Sequence, residues 1–124
     1  MKVNFYLASI IILCFSCNVA NEKGDVRSFV SDLNMELSGA TNFDHLEYFT
    51  ENGWNSFSRN FRNESEYIDF KKFFTGLEIS KVSNWGEKEY QVIFKRNSTT
   101  SGSVSIIVKR ELDSFKITEF RPSR

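Results

Sequence analysis

The sequence predicts a segregated α+β domain, with N-terminal helices packed on a C-terminal antiparallel meander of three to four strands. Three observations carry that expectation. Apolar residues recur at helical spacing from Val26 to Phe74, the period falls to two after Leu77, and the later segments are joined by short connections. Short connections make neighbouring strands antiparallel, and a run of helices followed by a run of strands packs as separate layers.

The first helix is the clearest element. Val26, Phe29, Val30, Leu33 and Leu37 fall at i, i+3, i+4, i+7 and i+11, with Arg27, Ser31, Asp32 and Glu36 on other faces and Gly39 as a C-cap. Asn42 is placed to cap a second helix through Phe43, Leu46 and Phe49, because Asn accepts bonds from the free N–H groups of a first turn. Asp44 and Glu47 complement its positive end. Asn52-Gly53 is expected to interrupt that helix, after which Trp54, Phe57 and Phe61 resume helical spacing. Asn63 with Glu66 reads as a capping box opening a helix through Tyr67, Phe70, Phe73 and Phe74 to Gly76.

Beyond that helix, Leu77 to Ser83 reads as an irregular strand, with a turn expected through Asn84 and Gly86. Tyr90, Val92 and Phe94 alternate with Gln91, Ile93 and Lys95 in a second strand, and Asn97 to Gly102 is a loop of turn formers. Val104, Ile106 and Val108 mark a third strand. Leu112-Asp113 is a turn, Phe115 and Ile117 form a short fourth strand, and Pro122 ends it.

The opening residues are of a different kind. Lys2 precedes an apolar stretch of thirteen residues, Val3 to Phe15, interrupted by Asn4 and Ser9. At about 1.5 Å per residue it covers roughly 20 Å, short of the roughly 30 Å hydrocarbon core of a bilayer, and it has the length of a secretory signal core. Leu13-Cys14-Phe15-Ser16-Cys17 resembles the lipobox of bacterial lipoproteins, in which a small residue precedes the cysteine that becomes the acylated N-terminus. Ser16 and Cys17 match; Cys14 and Phe15 stand where Leu and a small residue are usual.

That resemblance implies a signal peptide over residues 1–17, a polar tether over 18–24 and a domain over 25–124. It also implies acyl chains, palmitate among them, on Cys17. One buried chain gives only marginal attachment, whereas the two or three of this class hold stably. The location implied is a bacterial cell envelope. Asn18 is not the aspartate that commonly retains lipoproteins in an inner membrane, which favours an outer membrane where there is one. Cleavage after Ala20, releasing a secreted or periplasmic protein, is the main alternative, and an uncleaved anchor the other.

From Asp25 to Phe120 the order of elements resembles small exported proteins with the NTF2-like (cystatin-like) fold, whose curved sheet wraps around helices and encloses a cone. Ser114-Phe115-Lys116-Ile117 is similar to the aromatic-Lys-aliphatic final strand common there, with Phe115 in the place often held by Trp. Some members of that family are isomerases or dehydratases. A ligand in the cone is therefore one expectation.

Composition narrows the classes. Sixteen Lys and Arg balance sixteen Asp and Glu, without the basic excess of a nucleic-acid binder, so no nucleic-acid partner is expected. No cysteine follows Cys17, so the domain must hold without disulfides. Its stability has to come from the sixteen aromatic residues between Phe29 and Phe120, each fully buried Phe being worth roughly 1.5–3 kcal/mol. One histidine and no further cysteine offer neither a zinc set nor a nucleophilic triad, so neither metal nor cofactor is expected.

Proton transfer beside a carbonyl needs an acid–base group in an apolar pocket, often with a tyrosine donor. Asp69 near Tyr67 and His45 near Tyr48 are the pairs that suit those roles, but residues two or three apart on a helix do not reliably point into the same pocket, and both read better as surface or satisfied structure. Trp54 keeps helical spacing with Phe57 and Phe61, which favours core packing. Trp85 lies in an expected turn, where an aromatic ring suits an interface. Trp85 and then Trp54 are the candidate partner contacts. The chain reads as a lipid-anchored, non-enzymatic module for a protein or small apolar ligand, with an envelope immunity protein and an isomerase-like or hydratase-like enzyme as alternatives.

Overall fold

A computed structural model describes residues 22–39, 43–95 and 104–122. It shows three helices followed by a four-stranded antiparallel meander, the α+β order the periodicity predicts. Helix α1 covers 22–39, a 3₁₀ turn covers His45–Glu47, α2 covers Glu51–Ser58 and α3 covers Glu64–Thr75. The strands are β1 (Glu78–Gly86), β2 (Glu89–Lys95), β3 (Val104–Glu111) and β4 (Ser114–Arg121), hydrogen-bonded in that order.

Helix α1 is already formed at Glu22, three residues before Asp25, and buries Val26, Val30, Leu33 and Leu37 while Phe29 stays half-buried. Its neighbour differs from expectation. In place of a helix running to Phe49 there is one 3₁₀ turn, capped by the Asp44 carboxylate on the Leu46 N–H (3.0 Å); Asn42 lies outside the described residues. The cause is β4. Ile117 N–H donates to the Tyr48 carbonyl (2.7 Å) and Thr50 N–H to the Ile117 carbonyl (3.0 Å), so the backbone around Phe49 is held extended as a cover for the sheet edge.

Asn52-Gly53 does not interrupt a helix; it lies within α2. Thr50 caps that helix by accepting from the Gly53 N–H (3.0 Å). Ser56 Oγ then accepts from the Phe120 N–H (2.8 Å), which fastens α2 along β4. Half of the Asn63 capping box forms: Asn63 Oδ1 accepts from the Glu66 N–H (2.9 Å), while Glu66 Oε2 accepts from the N–H of Arg62 (2.7 Å), one residue before the cap. Helix α3 ends at Gly76.

No turn forms through Asn84 and Gly86. β1 continues to Gly86, pairing Asn84 with Tyr90 and Gly86 with Glu89, and the chain reverses at Glu87-Lys88. β4 likewise runs past Ile117 to Arg121, and the expected loop of residues 97–102 lies outside the described residues.

One face of the sheet carries Val82, Tyr90, Val92, Phe94, Ile106, Val108 and Ile117 against the helices. At the centre of that layer Phe57 is fully buried. Its ring meets those of Phe49, Trp54, Phe61, Phe70, Phe74 and Phe120, with centroids 4.9–6.2 Å away and mostly edge-to-face. The space between helices and sheet is filled by these rings.

Candidate functional site

The face of the sheet turned away from the helices is built by strand alternation, which sends every second side chain outward. Outward positions of β1 hold Lys81, Ser83 and Trp85; those of β2 hold Glu89, Gln91, Ile93 and Lys95. β3 contributes Ser105, Ile107 and Lys109, and β4 contributes Glu119 and Arg121. Ile107 is 2% exposed and Ser105 8%, yet neither belongs to the helix-side core. A second, small apolar centre therefore lies on this face.

Trp85 sits in the register irregularity between Asn84 and Gly86, where a bulge re-aims a side chain. Its ring is 47% exposed, and the Arg121 guanidinium lies 5.0 Å from the ring centroid. The two residues come from opposite edge strands. Arg121 pairs with Ser105, Ser105 with Ile93 and Ile93 with Lys81, and Trp85 lies four residues further along β1. They occupy diagonal corners, which the twist of a sheet bends toward one face. An exposed cation–π contact of this kind is worth about 0.5–1 kcal/mol.

Polar contacts hold the floor of this surface. Gln91 Nε2 donates to Ser105 Oγ (3.4 Å), and Thr118 Oγ1 donates to the Ile107 carbonyl (3.4 Å). Lys81, Lys95 and Lys109 are exposed and carry no ion pair among the described residues, whereas Arg121 stands 4.0 Å from Glu119. The surface thus carries the buried Ile107 and the half-buried Ile93, with Trp85 at its β1–β2 turn corner, among more cations than anions.

The residues singled out from sequence do not converge elsewhere. His45 stacks on Trp54 (4.4 Å), and the half-buried Trp54 packs against Phe49, Phe57 and Phe61. Trp54 therefore belongs to the packing of α2. Tyr48 lies between Phe43 and Phe29, and its hydroxyl meets Glu36 rather than His45. Burial, then the Glu36, Asp32 and Glu47 carboxylates, push that hydroxyl up to about 12. Asp69 is exposed, while Tyr67 packs tilted against Phe61 (4.6 Å) under Lys71. Cys17 lies outside the described residues.

Two grooves flank α3. One of about 280 Å³ is lined by Leu37, Ser38, Ile68, Lys71, Lys72 and Thr75, the other of about 530 Å³ by Ser58, Phe61, Arg62, Asn63, Glu64 and Tyr67. Neither lining includes His45 or Asp69. Among the described residues no group of three or more His, Cys, Asp and Glu stands together, and no helix is long and apolar enough to cross a membrane.

Sequence reasoning missed Arg121 and Ile107. The strict alternation of β3 was the available signal for Ile107, since Ser105-Ile106-Ile107-Val108 places an apolar residue on both faces. The chain matches no protein-family model, no curated protein and no solved structure.

Proposed function

We propose that the protein is a bacterial cell-envelope lipoprotein, held by acyl chains on Cys17, whose open sheet face binds a partner protein with an acidic surface. The observation that carries the binding half is Trp85, half-exposed beside Arg121 on the sheet face that also holds Ile107. Tryptophan and arginine are enriched where interfaces concentrate their energy, and an apolar centre with a polar rim is the usual anatomy. Lys81, Lys95 and Lys109 supply a rim that suits acidic residues opposite. An immunity protein is the same geometry with a toxin as partner.

The space an NTF2-like cone would offer a substrate is occupied by Phe57, Phe74, Phe94 and Phe120, which supports binding over pocket chemistry. The anchor rests on the lipobox resemblance at Ser16-Cys17. Both halves are testable in cells. A photo-crosslinking residue at Ser83 should trap one discrete envelope protein, and the same residue at Asp69 on α3 should not. Equal trapping from both positions would remove the sheet face from consideration. A Cys17→Ser chain should leave the membrane fraction; if it stays, the anchor is something else.

A further inference from the structure

We infer that the end of the sheet bearing the β1–β2 and β3–β4 turns rests on the bilayer, with Leu112 entering the boundary between headgroups and acyl chains. The inference builds on the proposed anchoring of Cys17.

The first ground is chain length. Glu22, helical and the first described residue, is five positions beyond Cys17, and five residues span at most roughly 18 Å. Glu22 is not free to swing from that tether. Its carboxylate accepts from Arg110 Nη1 (3.0 Å), and the Arg110 N–H donates to the Lys88 carbonyl (2.9 Å) in the β1–β2 turn. Glu22 and both turns are therefore gathered at one end of the sheet, and that end is the one a lipidated Cys17 draws to the membrane.

The second ground is Leu112 itself. It occupies the tip of the β3–β4 turn, 94% exposed, with φ at 50°. L-residues avoid that left-handed region, and Gly, Asn or Asp is the ordinary occupant of such a turn position. Neither the turn nor any burial within the domain accounts for a leucine there. Burying about half a leucine side chain shifts an equilibrium roughly tenfold. That is too weak to recruit a free protein but sufficient to orient one already tethered, because the second contact is then intramolecular.

Charge does not supply the attraction. Around the turns Lys88, Lys109 and Arg110 face the five carboxylates of Glu22, Glu87, Glu89, Glu111 and Asp113, with Arg110 paired to Glu22, so the contact needs no anionic lipid. With this end down, the strands stand along the bilayer normal, and the sheet face of Ser83 and Ile107 stays open at the side with Trp85 at its membrane-proximal edge.

The test uses the full chain in membranes from cells expressing it. Asp113→Cys serves as a reporter that leaves Leu112 in place, and labelling by a membrane-impermeant maleimide is compared before and after detergent solubilisation, with Asp69→Cys as reference. The expected result is about tenfold slower labelling at position 113 in membranes than in detergent, no such difference at 69, and recovery of the rate when Leu112→Asp is added. Equal rates at 113 in membrane and detergent overturn the inference, as does protection that survives Leu112→Asp. The parent chain, with no added cysteine, reports the anchor: labelling there means a free thiol, and overturns the anchoring and this inference together. Unlabelled parent chain with fast labelling at 113 overturns the inference alone.

Discussion

Gly53 lies flush against the backbone of Ile117: a Cβ at position 53 would overlap the Ile117 carbonyl oxygen and carbon. The glycine is needed in α2 because the helix is pressed onto β4, where Ile117 already bonds Tyr48 and Thr50. Alanine is ordinarily favoured over glycine in a helix by about 1 kcal/mol. Here the overlap is with backbone that cannot move aside, so Gly53→Ala is expected to destabilise by about 1–3 kcal/mol. Gly24, in α1 with open space around it, is the control. Thermal unfolding should show Gly53→Ala melting lower than the parent and Gly24→Ala no lower.

The Glu22–Tyr90–Arg110 cluster sets two pH limits. The Tyr90 hydroxyl, then the Arg110 guanidinium, hold the Glu22 carboxyl below its ordinary 4.5, so its stabilisation is complete above that value and is lost as pH falls through the lower folded one. Burial, then Glu22, push Tyr90 up to about 12 from 10.0, so its contribution is complete below pH 10 and is lost as pH rises from there toward 12. Tyr48 shares the alkaline limb. Urea unfolding of Tyr90→Phe should show a flatter loss of stability above pH 10 than the parent; an identical slope would mean the hydroxyl is not held as described.

The capping box at α3 predicts a modest, local cost. Asn63→Ala removes the acceptor of the Glu66 N–H and should lose about 1 kcal/mol. Asn63→Asp keeps the acceptor and should retain most of that stability. Chemical denaturation of both variants separates a lost cap from a general surface effect.

Binding and stability should separate between two aromatic residues. Phe57→Ala opens the ring-filled core and is expected to cost about 3–5 kcal/mol. Trp85→Ala removes a half-exposed ring and one cation–π contact, so it should cost no more than about 1 kcal/mol. It should nonetheless abolish crosslinking from Ser83. A folded Trp85→Ala chain that still crosslinks would move the interface elsewhere.

Several elements were legible because their signals are local. The stripe of Val26, Val30, Leu33 and Leu37 states a buried helix face through spacing alone, and Asn63-to-Glu66 states a helix start through the Asn63 side chain on the Glu66 N–H. The failures lie where distant strands act. Asn84 and Gly86 are turn formers held in β1 by pairing with Tyr90 and Glu89, and Asn52-Gly53 is a breaker pair held in α2 by the Thr50 cap and by β4. The 43–49 segment loses its helix because Phe49 lies beside Ile117, sixty-eight residues away.

The amino-acid order by itself determined the class of fold, the helical and strand periods, the disulfide-free aromatic core and the apolar opening stretch that runs up to Cys17, since each is written in neighbours a few residues apart. Tertiary structure alone decided that Trp85 meets Arg121, that Ile107 forms a second apolar centre, and that Glu22 and Leu112 share one end of the sheet. Those relations depend on how far a four-stranded sheet twists and which edges its helices cover, quantities fixed by packing between segments that no short stretch of chain contains.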